Sequence, residues 1–434
     1  MPQNRTILFG LVLLGLFLFR LFFGLSTDIQ FIDQHQIYLI GLKFYTTGAW
    51  PYFGPDVASQ IQLPGALQGL VVGLPFFLCP IPEAPYLALG VLSFTGLGFF
   101  AWVCCRQLPR FPRWILFGWL LSAPWVLNWS TNIDNDSYAL FGGCVFFAGF
   151  LEALPALRLG LWPLPLSFFM MGFSLFWCAQ FHMSYVLLVP FLAAALFLNF
   201  FKEKKINWFT VVGGLGLGCL TTGLFVLPTY LKYGFTSGSG GMGNAIALNP
   251  SNALGAFTIL GRFLSLSAPE IPRFIGTHTA DRLTFLGQNP WLYPFALALF
   301  CFWIFQLGWM LTSFFQKRKA DPKWNAVRLL TGLAILGIYL SFLFAIKTPA
   351  AHTFYITLPL AMLYAFYCFA PWAGRRWFAP LAAGLLACNL IFHFGLALNH
   401  FQTKSLYRDR AVFEQAIQEK NYHLLGERRD NTFY

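Results

Sequence analysis

PGALQGLVVGLPFFLCP, residues 64–80, sets the orientation of every span that follows it. The block carries Pro64 at its start and Pro75 inside. A transmembrane helix needs about 17–25 apolar residues, and this block, at the lower limit and interrupted by proline, is ambiguous. Eleven other apolar blocks are long enough, at 6–26, 85–105, 113–129, 137–156, 161–179, 183–201, 208–231, 290–315, 327–346, 352–371 and 377–398. The basic loops decide whether 64–80 crosses. If it does not, and the N-terminus is cytoplasmic, then residues 106–113 (RQLPRFPR), Arg158, 202–205 (KEKK), 316–323 (QKRKADPK) and Arg375-Arg376 all fall inside. If it does cross, each of these flips outward and the positive-inside rule fails throughout. The charge pattern therefore predicts a re-entrant or interfacial helix at 64–80.

Composition agrees with a membrane solvent. Of 434 residues, 57% are hydrophobic, 19% aromatic and 10% charged, whereas soluble domains are about 45–50% apolar and about 25% charged. A water-soluble globular protein is excluded, as are disordered, collagenous and disulfide-stapled chains. The net charge of +12 would suggest nucleic acid in a soluble protein; in a membrane protein it reflects cytoplasmic basic loops, so no nucleic-acid partner is expected. The nine cysteines form no Cys-x-x-Cys and read as small buried hydrophobes. Residues 6–26 outrun a secretory signal and read as a retained first span, with Arg20 snorkelling or facing the bundle interior. The fold class predicted is an all-α polytopic membrane protein of about eleven spans, with interfacial or re-entrant helices in the first outer loop. Residues 1–400 form the membrane domain, with outer loops at 27–84 and 232–289, and 401–434 form a short outer tail. The stretch 405–425 reads as a short amphipathic helix on that surface, without catalysis. The 232–289 loop is too short for a nucleotide-binding domain, which needs roughly 100 residues.

The same orientation sorts the acids. Asp28, Asp33, Asp56, Glu83, Asp134, Asp136, Glu270 and Asp281 lie outside with five in the tail, and only Glu152, Glu203 and Asp321 lie inside. Acids do not set topology, so their bias independently places carboxylate chemistry on the outer face. Four outer segments carry chemistry. Asp33 opens a predicted interfacial helix over 34–47, with Ile37, Ile40, Gly41 and Phe44 on its buried face; it reads as an N-cap or as a catalytic base. Asp134 and Asp136 sit in NWSTNIDNDSYALF (128–141), as turn residues or as hard oxygen ligands for a divalent cation, Mg or Mn. Gln180, His182 and Ser184 form a polar break in WCAQFHMSYVLLVP (177–190), and a polar group at membrane depth is a site hypothesis. Lys347, His352 and Tyr355 stand at the outer end of a span, as anchors or as phosphate contacts. Arg262, Arg273, His278 and Arg282 are further phosphate candidates, or a solvated face. TSGSGGMG (236–243) matches a dinucleotide fingerprint by letters only and reads as a flexible loop. GLGLG (214–218) lies within a span and reads as a helix-packing stripe.

The ordered set IDQHQIY…GAWPYFGP (32–55), LPGAL (63–67), NIDNDSY (132–138), QFHMSYVLLVP (180–190) and HTFYITLPLAMLY (352–364) resembles the polytopic glycosyltransferases of the GT-C superfamily. The nearest likeness is to Rgt-like integral membrane transferases; protein O-mannosyltransferases and the lipid A aminoarabinose transferase are more distant. The likeness runs through about residue 370. It implies a bacterial cytoplasmic-membrane enzyme with an extracytoplasmic site, and a sugar donor carried on polyprenyl phosphate. The acceptor would be a lipid, glycan or protein. It also implies an acidic residue of the first outer loop at the catalytic centre, here Asp33. The usual Asp-Glu pair is Asp33-Gln34 in this chain, so only the first acid is matched. Asp33 would act as general base, with inversion at the anomeric carbon. His35, Gln180, His182, Lys347, His352, Tyr355, Arg273 and Arg282 are the candidate substrate contacts. The alternatives are a lipid or glycan flippase, for which the sequence lacks internal repeats and mid-span charges beyond Arg20, and a non-catalytic polysaccharide-assembly protein.

Overall fold

Runs of Leu, Phe, Val and Ala become helices in hydrocarbon because a helix satisfies its own backbone. A computed structural model describes residues 2–27, 32–57, 61–202, 207–234, 247–265, 279–316, 321–345, 348–401 and 410–425. The elements run α1 (Pro2–Thr27), α2 (Ile32–Thr47), β1 (Phe53–Val57), β2 (Ile61–Pro64), α3 (Leu67–Leu78) and α4 (Ala84–Gln107). Then follow α5 (Arg113–Ser122), α6 (Pro124–Ser130), α7 (Asn135–Ala153), α8 (Leu164–Ala179), a 3-10 turn (Met183–Leu188) and α9 (Val189–Lys202). Next come α10 (Trp208–Gly223), α11 (Leu227–Tyr233), α12 (Gly255–Phe263), α13 (Thr279–Gln288), α14 (Tyr293–Phe315) and α15 (Pro322–Leu343). A 3-10 turn (Ala351–Thr357) leads into α16 (Leu358–Phe369), followed by α17 (Phe378–Phe401) and α18 (Arg410–Gln418).

Among the described residues, seven helices are long and apolar enough to cross a membrane, or eight if the α10–α11 pair, bent by 62°, counts as one span. The protein is a multi-pass, all-α membrane protein. The other three apolar blocks are helical but shorter or interrupted. Pro124, which has no N–H to continue the ladder, separates α5 from α6; α8 has 16 residues; α7 opens on Asn135-Asp136-Ser137.

The 64–80 segment does not cross. Its helix α3 has 12 residues, about 18 Å at 1.5 Å per residue, against a core about 30 Å thick. Tyr38 on α2 donates to the Pro82 carbonyl at 3.0 Å, so the chain on either side of α3 sits at the same end of the bundle. Gly41 and Gly73 let α2 and α3 lie backbone against backbone; a Cβ at Gly73 would stand 2.6 Å from the Gly41 carbonyl. The expected inner loops gather at the opposite end. There Gln107 donates to the Leu157 carbonyl at 2.6 Å, Lys323 reaches Gln107 at 3.4 Å, and Arg158 donates to Asn199 at 2.8 Å.

Three sequence expectations hold inside the bundle. Arg20 is buried, donating to the Leu121 carbonyl at 2.7 Å, to Ser93 Oγ at 2.9 Å and to Ser130 Oγ at 2.8 Å. All nine cysteines are free thiols, as expected, but only Cys104, Cys144, Cys178 and Cys368 are the buried hydrophobes foreseen, and Cys79 and Cys301 are exposed. Gly214 and Gly218, one turn apart on α10, meet the α8 backbone so closely that a Cβ at either would overlap a carbonyl there, the close approach that small residues allow between membrane helices.

The expected one-sided helix over 34–47 is corrected. Ile37, Ile40 and Gly41 are buried, but so are Gln36, Tyr38, Leu39, Leu42 and Tyr45, while Phe44 is only half-buried. The helix is covered on a second side by the C-terminal tail. Unforeseen, too, is the antiparallel β1–β2 hairpin between α2 and α3, paired Phe53 to Pro64, Asp56 to Gln62 and Val57 to Ile61. The 236–243 loop lies outside the described residues.

Candidate active site

Four chain segments meet at the end of the bundle that holds α2. Asp134 is the N-cap of α7; its Oδ1 accepts from the Asn135 N–H at 2.7 Å, leaving Oδ2 to accept from Gln34 Nε2 at 3.2 Å. That bond ties the first turn of α2 to the start of α7. Asp136, in the first turn of the helix, is buried, where the exposed N–H groups and the macrodipole favour an anion. Its Oδ1 lies 3.5 Å from His182 Nε2.

His182 is held by its own turn. The Ser184 N–H donates to its Nδ1 at 3.1 Å, and Ser184 Oγ sits 2.8 Å from the same atom. An accepting Nδ1 puts the ring proton on Nε2, directed at Asp136. The His352 ring stands edge-on to His182, 6.5 Å between centroids, and packs against Trp129 at 5.1 Å. The structure thus brings together Asp134, Asp136, His182 and His352 with Gln34 of α2.

Gln180 closes the floor. As the C-cap of α8 it donates to the Thr222 carbonyl at 2.9 Å and the Phe176 carbonyl at 3.0 Å. Its side chain fits against Gly65, whose φ of +133° and missing Cβ leave the space that any other residue would fill. Beside it Gln68, fully buried at the start of α3, bonds to Asn135. Among the described residues, the buried side-chain oxygens without a hydrogen-bond partner include five here: Gln68 Oε1, Asn132 Oδ1, Ser137 Oγ, Tyr138 Oη and Gln180 Oε1. They belong to the segments 63–68, 132–138 and 180–190. Buried polar atoms are nearly always paired, so such a seam is suited to a polar ligand rich in hydroxyls.

Tyr355 and Arg282 fall elsewhere. Tyr355 is buried and gives its hydroxyl to the Val126 carbonyl at 3.2 Å. Arg282 lies on α13, which packs on the 3-10 turn Pro290–Leu292. Asp33 is the second residue of α2, so its backbone enters the site with Gln34, but its side chain lies outside the described residues, as do Lys347, Arg273 and His278. Among the described residues no three of His, Cys, Asp and Glu are arranged to hold a metal ion. Gln68, Asn135 and Gln34 were not anticipated. The signal for Gln68 was present: a lone amide inside an apolar block is as costly in hydrocarbon as those at 180–184.

The C-terminal tail packs onto the same helix. In α18, Phe413, Ala416 and Ile417 are buried. Phe413 meets Tyr38 edge-on at 4.9 Å and the His35 ring at 6.1 Å. Arg410 pairs with Glu83 at 2.6 Å and with Glu414 at 2.7 Å; hydrogen bonding to Glu83 raises its already high pKa. Half-exposed ion pairs contribute roughly 0–1 kcal/mol, whereas truncating a buried Phe costs about 3–5 kcal/mol. Phe413→Ala is therefore expected to free the tail for limited proteolysis between 402 and 425, and Arg410→Ala to change the cleavage rate only slightly. Equal rates for the two variants would show that the ion pair, not the aromatic contact, fixes the tail.

No family model matches the chain, and no curated protein matches it. Two solved structures do. ArnT from Cupriavidus metallidurans bound to undecaprenyl phosphate aligns over 97% of this chain and 79% of its own, with a TM-score of 0.54 at 12% identity. The apo state of the same protein aligns over 96% and 78%, with a TM-score of 0.52 at 12% identity. Each alignment covers nearly all of this chain, and the chain has the fold of ArnT.

Proposed function

We propose that the protein is a membrane glycosyltransferase that moves a sugar from a polyprenyl-phosphate donor to a lipid, glycan or protein acceptor. The observation that carries the reading is the seam of unpaired buried oxygens beside the Asp136–His182 pair and the first turn of α2. Hydroxyls of a sugar would satisfy those oxygens. A donor held in the bilayer needs no soluble nucleotide-binding domain, and one of the fold's solved relatives was crystallised with undecaprenyl phosphate. The positive-inside bias puts the site on the extracytoplasmic face of a bacterial cytoplasmic membrane, with the N-terminus inside.

In this reading the acceptor hydroxyl gives its proton to the Asp33 carboxylate as its oxygen attacks the anomeric carbon. The bond from that carbon to the phosphate oxygen breaks, and polyprenyl phosphate leaves with the electron pair. Attack opposite the leaving group inverts the anomeric centre. Cations stabilise the departing phosphate; Lys347, Arg273 and His352 are the candidates. Asp136 holds the His182 ring in place through its Nε2–H, and His35, Gln180 and the Asn132–Tyr138 turn line the sugar. Asp134 and Asp136, joined by Asp33, are the oxygen ligands available to a divalent cation such as Mg or Mn.

The test uses the purified protein in lipid nanodiscs with radiolabelled sugars on undecaprenyl phosphate and a membrane extract as acceptor. Time-dependent release of free undecaprenyl phosphate, matched by label in an acceptor, is expected for at least one sugar. Vesicle-to-vesicle movement of the intact donor without such release would establish a flippase instead.

A further inference from the structure

A second recess lies at the opposite end of the bundle, away from the site. It measures about 390 Å³ and is walled by α5, α14, α16 and α17 together with the turn that joins the last two. That volume falls among small-molecule pockets, roughly 300–1,000 Å³. Its walls are aromatic and aliphatic throughout: Phe111, Trp119, Phe302, Trp372 and Phe378 form much of the lining. The rings interlock, with Trp119 on Phe302 at 5.5 Å, Phe111 on Phe378 at 5.7 Å and Trp372 on Trp377 at 5.6 Å. Cys301 and Leu381, on its wall, are exposed on the flank of the bundle, so the recess opens sideways, towards hydrocarbon.

Its mouth is basic. Arg110 and Arg113 flank Phe111, and Arg375 and Arg376 precede Trp377; all four are exposed. The connecting loops, 106–113 and 370–378, contain no Asp or Glu. An apolar slot under a cluster of guanidinium groups is complementary to a molecule with a hydrocarbon chain and a phosphate head. We propose that this recess binds an anionic phospholipid of the surrounding bilayer, one acyl chain in the aromatic slot and the phosphate on the arginine rim. Guanidinium groups bind phosphate through paired, charge-assisted hydrogen bonds, and basic pockets between transmembrane helices are known to hold anionic head groups. The inference is independent of the glycosyltransferase reading, since it concerns neither the residues nor the end of the bundle used there.

Native mass spectrometry of the full chain in mild detergent tests it, with dioleoyl phosphatidylglycerol, dioleoyl phosphatidylcholine and undecaprenyl phosphate added in turn. One phosphatidylglycerol is expected to stay bound at concentrations where phosphatidylcholine does not. Arg375→Gln combined with Arg376→Gln is expected to lower its occupancy about tenfold or more. Ala298→Trp, which fills the slot, is expected to abolish retention with the arginines intact; Cys301→Phe at the lip serves if that variant does not fold. Equal retention of the two glycerolipids, undiminished retention in a folded slot-filling variant, or displacement by equimolar undecaprenyl phosphate would each overturn the assignment.

Discussion

Asp33→Asn is expected to slow sugar transfer by about a hundred- to ten-thousand-fold, the usual contribution of a positioned general base. Asparagine has nearly the same size and can still cap a helix, so the fold and donor affinity should be unchanged. The loss should therefore appear in kcat, with the thermal midpoint and donor KM close to wild type. A fall in kcat and kcat/KM together marks an interaction made in the transition state. Full activity of the variant would remove Asp33 from the mechanism and return the choice to Asp134 and Asp136. Those two already have partners in Gln34, the Asn135 N–H and His182, which suits them better to shaping the site than to taking a proton.

Arg20→Leu is expected to produce the largest loss of stability of any single substitution considered. The guanidinium joins α1 to α4 through Ser93, to α5 through the Leu121 carbonyl and to α6 through Ser130. Leucine leaves those three acceptors in a dry interior; each buried group deprived of its partner costs about 1–3 kcal/mol, so a total of about 3–9 kcal/mol follows. Arg20→Lys should recover only part of it, because a single ammonium cannot span three helices as the fork does. The midpoint of thermal unfolding in detergent measures this. A shift no larger than that of a neutral surface substitution, about 0.5 kcal/mol, would show that the three hydroxyl and carbonyl groups find other partners.

The helical blocks were legible because hydrocarbon imposes one rule on every residue inside it, and the charge bias of the loops placed 64–80 correctly. Burial of Arg20 and the glycine contacts of α10 followed from the same reasoning. The polar break at Gln180–Ser184 and the Asp134–Asp136 turn were also visible, and the fold brings them together. Other features depend on partners far away in the chain. The tail's amphipathic pattern could be read from its sequence, but not that Phe413 would meet Tyr38 on α2. The β1–β2 hairpin was hidden by Pro55 and Pro64, residues that ordinarily argue against strands. Gln68 went unnoticed because its neighbours are apolar, although its isolation was itself the clue.

The docking of α18 on α2 has a consequence for the order in which the protein matures. The helix that carries Asp33 leaves the ribosome well before Phe413, the ring that packs on it. That helix is thus made early and packed late, its cover arriving only after the spans that separate α2 from α18 have been made.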